Sequence, residues 1–513
     1  MKDKKNLDKS LESLAKSAFV VFAGIFLSKT FVYIYRIIIA RKFGANVYGI
    51  FSLAIMLAGL LMLFANIGLT EGLSRYIPKF RGSGEKDKIT YIFKKSISVL
   101  LITGVISFII LFGFSDFISE RLFHEPQLVV FLKIFSFLVP LNLFFVLFLA
   151  VLRSYEKIGL YSLFSNIVLP LTQLILIFIF IFMGLNINSI ILSYLGGFFV
   201  TLVFTFVICK KKIPELFKKE DKKAKYPGLF KEVLSYSWPL LISGVTWKLF
   251  SWADSFAIGY FKTADDVGLY NSAVPIAMLL TISSQMFMQL FFPLVTKSYF
   301  QGDKESVKQL SQQVGKWIFA INLPFAILLF FFPEKLIEIL FGTPYIGAGN
   351  ALRFLSVGFF MLSFFDISTR LISMKGKSKI ILFDVSIMAL FNLALNIALV
   401  PRYGITGAAA ATTLSFTILS IILVVQSKAY VSIIPMRRKM LNVLIAGVIS
   451  SIALFYLREI IVLNIFSLIA LSALFILIYA VLLFVLKGLD RNDFLVIRKL
   501  MGRKNDPSLF NRN

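Results

Sequence analysis

The sequence predicts an all-α, polytopic membrane protein of about fourteen transmembrane helices, and three observations predict it. Of 513 residues, 58% are hydrophobic and only 16% charged, where a soluble domain keeps roughly a quarter charged. The apolar residues, 57 Phe among them, gather in long runs of about 20, enough to cross a hydrocarbon core of about 30 Å. Lys and Arg fall almost entirely into alternate connections between those runs, as the positive-inside rule demands.

In chain order the runs place helices near 17–40, 46–69, 92–114, 128–152, 158–184, 188–209, 234–260, 267–295, 315–333, 351–373, 379–400, 405–428, 440–458 and 464–486. The connections are short and carry Gly, Pro, Asn and Asp, the residues of turns. Residues 1–16 are charged, and the apolar run after them is too long for a signal peptide, so a retained tail is expected.

Orientation follows from the cations. Nine lie on the side opposite the N-terminus: Arg41, Lys42, Arg121, Lys133, Lys262, Lys335, Arg353, Arg402 and Arg458. Lys29, Arg36 and Lys248 fall inside spans, which leaves 42 of the 54 on the side of the termini, most densely over 210–231. Both termini are therefore expected in the cytoplasm, with an even number of spans. The net charge of +27 is then explained by topology and anionic lipid, and no nucleic-acid partner is expected. Cys209 and His124 stand alone among Cys and His. That excludes an internal disulfide and any metal site built on several such ligands.

Two segments repeat at a spacing of 219 residues. Lys29 followed by Phe43-Gly44-Ala45-Asn46-Val47-Tyr48-Gly49 matches Lys248 followed by Phe261-Lys262-Thr263-Ala264-Asp265-Asp266-Val267-Gly268-Leu269-Tyr270. A polar loop follows each, 81–85 and 301–305. The spacing predicts duplication of a six-helix unit, with lobes over 17–209 and 232–430 joined by the basic linker 210–231. Residues 431–487 add two helices without counterpart, and 488–513 form a second tail. An even-numbered unit inserts twice in one direction, which relates the halves by an axis along the membrane normal with a site between them.

The stretch Arg36–Phe51, the run Asp254–Phe261 leading into Val267–Tyr270, and above all Asn392, Asn396–Val400 and Pro401-Arg402-Tyr403-Gly404-Ile405-Thr406-Gly407 through Thr412 resemble the polysaccharide transporter family, the O-antigen and oligosaccharide-lipid flippases. The resemblance covers roughly residues 10–430 and extends to the superfamily that also holds lipid II flippases and multidrug/cation antiporters. It implies two lobes around a central cavity, and a multi-pass plasma-membrane protein that moves polyprenyl-diphosphate-linked oligosaccharides to the outer leaflet by alternating access, for cell-surface polysaccharide synthesis. The partners it implies are the lipid-linked oligosaccharide, membrane lipid and glycosyltransferases, and the protein is expected to be a monomer. Lipid II flippases carry closely spaced arginines in the first helix. This chain has Lys29, Tyr35 and Arg36 there, a departure from that branch.

Charge within the membrane costs a few kcal/mol per residue even on the lenient scale, so each such residue calls for a reason. Lys29 and Arg36 lie two helical turns apart on one face, with Tyr33 close to the same stripe, and Lys248 is the repeat partner of Lys29. Together they suit a lipid pyrophosphate, which Arg binds bidentately. The competing reading has Arg36 reaching outward to Arg41 and Lys42, and Lys248 pairing with Asp254. Asp254 and Asp384 are candidates for Na⁺ or proton coupling, or else partners of a cation on a neighbouring helix. Asp366 and Arg370, at i and i+4, read as a structural ion pair. Gln285 and Gln289 share a face, as Asn392 and Asn396 do; such amides join helices or meet sugar hydroxyls. No cofactor, metal or nucleotide-binding motif is expected, and no enzyme. A multidrug or cation antiporter of the same fold is the alternative, favoured by an acidic cavity. A glycan polymerase or ligase, which would carry a large outer loop, is the more distant one.

Overall fold

The computed structural model describes residues 2–217, 226–460 and 464–488, with side chains from Phe26 onward except at 289–290 and 459–460. Residues 218–225 of the expected linker, and nearly all of the expected tail 488–513, lie outside the described residues.

The described chain is helical. The helices are α1 (Lys2–Asn66), α2 (Leu69–Gly82), α3 (Lys86–Gly113), α4 (Leu128–Phe135), α5 (Leu138–Ser154), α6 (Ile158–Leu163), α7 (Leu169–Phe182), α8 (Asn188–Lys212), α9 (Leu229–Phe261), α10 (Ala264–Met278) and α11 (Leu280–Phe300). They continue as α12 (Lys304–Phe331), α13 (Pro333–Phe341), α14 (Gly349–Met374), α15 (Ser378–Val431), α16 (Lys439–Ile460) and α17 (Ile465–Val485). Hydrocarbon offers the backbone no partner, so each span must satisfy its own N–H and C=O groups, which a helix does.

Among the described residues, nine helices are long and apolar enough to cross a membrane, or up to eleven when α4–α5 and α10–α11, each bent by 42°, count as single broken spans. Two of the nine, Phe26–Asn66 at 41 residues and Ser378–Val431 at 54, have the length of two spans. Each turns at one glycine, Gly44 (φ 84°) and Gly404 (φ 54°), in the positive-φ region that glycine enters without a Cβ penalty. With α9, which is 33 residues long, fourteen spans are consistent with this architecture. The two expected loops at 41–45 and 401–404 are thus sharp bends that keep the chain helical on both sides. Phe182 is 94% exposed and Phe466 79%. Side chains this apolar, left this open on helices of spanning length, face lipid.

Two connections expected as loops are helical. Helix α2 is amphipathic: it buries Leu69, Leu73, Tyr76, Ile77 and Phe80 while Arg75, Lys79 and Arg81 face outward. Helix α13 covers Pro333–Phe341, in the connection expected between the spans 315–333 and 351–373.

The chain forms two compact units. One comprises 1–276, 337–355 and 379–419, the other 277–336, 356–378 and 420–513. In the first, Phe51 packs edge-on to Phe135 and Tyr194, and Tyr35 joins them, its hydroxyl 2.9 Å from that of Ser193. In the second, Met288, Phe291, Val295, Ile318, Ile367, Leu371 and Ile433 form a buried cluster, and α16 lays Gly447 against Leu323 of α12.

The repeat spacing reappears as contact within the first unit. The Asn46 amide donates to Asp265, 219 positions on, at 3.3 Å. A Cβ on Gly49 would lie 1.8 Å from the carbonyl oxygen of Ala264, and one on Gly268 2.0 Å from that of Ala45. Gly49 and Gly268 are again 219 apart, as are Ala45 and Ala264, so the contact is reciprocal about a local two-fold. Only residues without a Cβ allow backbones this close.

Candidate functional site: a cation cluster and a buried carboxylate

The first unit holds two polar centres, one built on α1 and α9 and the other on α9, α10 and α15. Lys29 and Arg36 on α1 are half-buried, Lys248 on α9 is exposed, and the charges of all three act on one another. Arg36 donates to the Tyr48 hydroxyl, which in turn donates to the Asn271 carbonyl at 3.0 Å. Tyr33 and Tyr194 are near enough to act electrostatically on the guanidinium. Held by Tyr48, Arg36 does not reach outward to Arg41, which instead donates to the carbonyls of Leu340 (2.8 Å) and Ile339 at the end of α13. Among the described residues none of Lys29, Arg36 and Lys248 forms an ion pair. Three neighbouring like charges without a counter-ion repel, and an anion placed among them lowers the energy of all three.

Lys248 has one attractive partner on its own helix. Its Nζ stands 4.7 Å from the ring centre of Trp252, one turn on, a cation–π contact of about 0.5–2 kcal/mol depending on desolvation. The indole lies against Gly59 of α1, where a Cβ would come within 2.7 Å of Cη2. Trp252 was not among the residues expected to matter, although its i+4 position from Lys248 is legible in the sequence.

The second centre is Asp254, 5% exposed. Among the described residues it pairs with neither Lys248 nor any other cation. Its Oδ2 accepts from the hydroxyls of Tyr270 and of Thr412, the latter at 2.5 Å, and its Oδ1 accepts from the Asn396 amide at 2.8 Å. Asn396 also donates to the Asn392 carbonyl at 3.0 Å, while Asn392 donates to Thr412 at 3.1 Å. The carboxylate is therefore held by neutral donors from α10 and both halves of α15. The side-chain amide oxygen of Asn396, Oδ1, is buried and accepts no hydrogen bond, so the cage sets a carboxyl group without a cationic partner among the described residues beside a free oxygen acceptor. Hard cations take oxygen ligands of this kind. Asp384 is buried too, at 7% exposure, but does not enter this cage. Among the described residues no group of three or more His, Cys, Asp and Glu is placed to hold a metal ion.

In the second unit, Arg370 stands 3.7 Å from Asp366, as expected of an i, i+4 pair. Asp366 also accepts from Ser284 of α11 at 3.0 Å, which ties the pair to the neighbouring helix. Gln285 donates to Thr281 on its own helix at 3.1 Å. The side chain of Gln289 lies outside the described residues.

Comparison with known proteins places the whole chain in a lineage. The chain is 24% identical over 424 residues, 82% of its length and 84% of the relative's, to a probable low-salt glycan biosynthesis flippase of Haloferax volcanii. It is 23% identical over 383 residues, 72% of its length and 87% of the relative's, to a putative O-antigen transporter of Shigella flexneri. Among solved structures it resembles the lipid II flippase MurJ in an inward closed conformation, with TM-score 0.73, 15% identity and coverage of 94% of this chain and 100% of that one. An inward-facing multidrug resistance MATE transporter gives TM-score 0.69 at 16% identity, over 81% of this chain and 98% of that one. The fold is accordingly the one these two transporters share. A MatE profile matches residues 239–398. The profile described as polysaccharide biosynthesis protein matches residues 14–299, more than half of the chain, and the chain is a multi-pass membrane protein belonging to that family.

Proposed function

We propose that the protein is a flippase: it carries a lipid-linked oligosaccharide, a polyprenyl diphosphate bearing sugars, from the inner to the outer leaflet by alternating access, for cell-surface glycan synthesis. The observation that carries this reading is the unpaired trio Lys29, Arg36 and Lys248. Each cation costs about 2.5–3.5 kcal/mol to hold within a membrane, and a diphosphate supplies the missing negative charge through hydrogen bonds of about 1.5–3 kcal/mol each. Tyr33 borders this site. Gln285 and Gln289 are kept as candidate contacts for sugar hydroxyls. No covalent bond changes, so the role is transport and not catalysis.

The same reading places both termini in the cytoplasm of a plasma-membrane protein, and takes 17–209 and 232–430 as lobes with 431–487 appended. It has the monomer work beside the glycosyltransferases that build its cargo. Asp254, with Asp384 as a second candidate, is the site at which Na⁺ or a proton couples to the cycle. A multidrug antiporter shares the fold, but cationic drugs would meet three positive charges here.

The test is complementation of glycan display in a strain lacking its own flippase. Wild type restores display, and Lys29→Ala with Lys248→Ala abolishes it while the protein still reaches the membrane. Full display by the double variant refutes the reading.

A further inference from the structure

We infer that Trp252 is a positioning residue, which aims the Lys248 ammonium into the cation cluster. The inference rests on the anion-binding role proposed for that cluster. Lys248 is exposed and has a flexible four-carbon stem, and among the described residues no carboxylate pairs with it. Left to itself it would sample many rotamers and spend little time beside Lys29 and Arg36, whose charges repel it. The indole face 4.7 Å away is the contact that holds it.

The ring is itself fixed. It is wedged over Gly59, the one residue type that leaves it space, since a Cβ there would come within 2.7 Å of Cη2 and 3.2 Å of Cζ3. A chain of three positions on two helices thus sets the direction of one charge: Gly59 seats Trp252, and Trp252 seats Lys248. The repeat carries the same spacing. At the equivalent position, 219 residues earlier, Lys29 is followed one turn on by Tyr33, so both copies place an aromatic residue four positions after the lysine.

The test measures binding of geranylgeranyl diphosphate to the detergent-solubilised full chain, with the unfolding temperature recorded for each variant. Lys248→Gln is expected to raise Kd about tenfold, and Trp252→Leu, which fills the space without a π face, to raise it as much. Trp252→Phe is expected to stay within about threefold of wild type. In the Lys248→Gln background Trp252→Leu is expected to add less than twofold, because it acts only through the lysine. Should Trp252→Leu fold poorly, Gly59→Ala supplies the second route: it pushes the indole aside without altering the cation, and the same rise in Kd is expected. A harmful Lys248→Gln with a wild-type Trp252→Leu, or with effects that multiply in the double variant, overturns the inference alone. A Lys248→Gln that binds like wild type overturns both the inference and the cluster's proposed role.

Discussion

Replacing Asp254 tests whether the buried carboxylate is a structural keystone and a coupling site at once. In the wild type it satisfies three donors, the hydroxyls of Tyr270 and Thr412 and the Asn396 amide. Asp254→Ala leaves all three without an acceptor in a site that is 5% exposed. A stranded buried donor costs about 1–3 kcal/mol, so the sum reaches about 3–9 kcal/mol, against a typical total stability of about 5–15 kcal/mol. Asp254→Asn keeps the shape and one acceptor oxygen, and its cost is expected near about 1–3 kcal/mol. Thermal unfolding of the purified protein in detergent should therefore rank wild type above Asp254→Asn, and Asp254→Asn well above Asp254→Ala. The same scans in sodium and in choline chloride read the coupling. A bound ion at 100 times its Kd raises stability by about 2.7 kcal/mol, an increment expected in wild type and absent from Asp254→Asn. An Asp254→Ala protein that unfolds with the wild type would refute the structural argument. A sodium increment that survives in Asp254→Asn, or its absence from wild type together with unaltered proton dependence, would refute the coupling role.

Other outcomes follow from the same structure. Gly49→Ala or Gly268→Ala would set a Cβ within 1.8 or 2.0 Å of a facing carbonyl oxygen, and forcing the helices apart should cost about 1–3 kcal/mol or more each, read as lowered unfolding temperatures. Unchanged temperatures would contradict the close reciprocal contact. Asp303 caps α12 by accepting from the Ser306 N–H at 2.9 Å. The Ser306 side chain and then its backbone N–H hold this carboxyl below the usual carboxylate range. With the folded-state value depressed, the stabilisation is complete above the unfolded-state value of about 3.9 and is lost as pH falls through the lower folded-state value. Asp303→Ala should therefore lower the unfolding temperature at neutral pH, and the gap from wild type should close only in that acidic window. A gap that stays constant to the lowest pH would count against the cap.

Much of this was legible in the sequence, and the exceptions have physical causes. The spans follow from apolar runs because lipid tolerates little else, and the repeat at 219 residues returned as the contact of Asn46 with Asp265. Helix α2 escaped notice because its polar face carries Arg75, Lys79 and Arg81 and Pro78 interrupts it, so it reads as a charged loop. The bends at Gly44 and Gly404 read as turns because a positive, non-helical φ at one glycine separates two helices with no loop between them. The cations were found because charge in an apolar run is conspicuous. The Asp254 cage was only half visible: the pairing of Asn392 with Asn396 follows from helical spacing, but Tyr270 and Thr412 join through tertiary contacts 16 and 158 positions away. Trp252 was overlooked because a tryptophan near the end of an apolar span reads as packing, although its spacing from Lys248 offered the signal.

The most direct measurement is translocation in proteoliposomes containing the purified protein and a fluorescent polyprenyl-diphosphate oligosaccharide, scored by the fraction that becomes accessible in the far leaflet. The account predicts movement by wild type, and a loss of at least about tenfold, equivalent to about 1.4 kcal/mol, for the variant carrying Lys29→Ala and Lys248→Ala with its unfolding temperature preserved. A folded double variant that moves the lipid at the wild-type rate would contradict it.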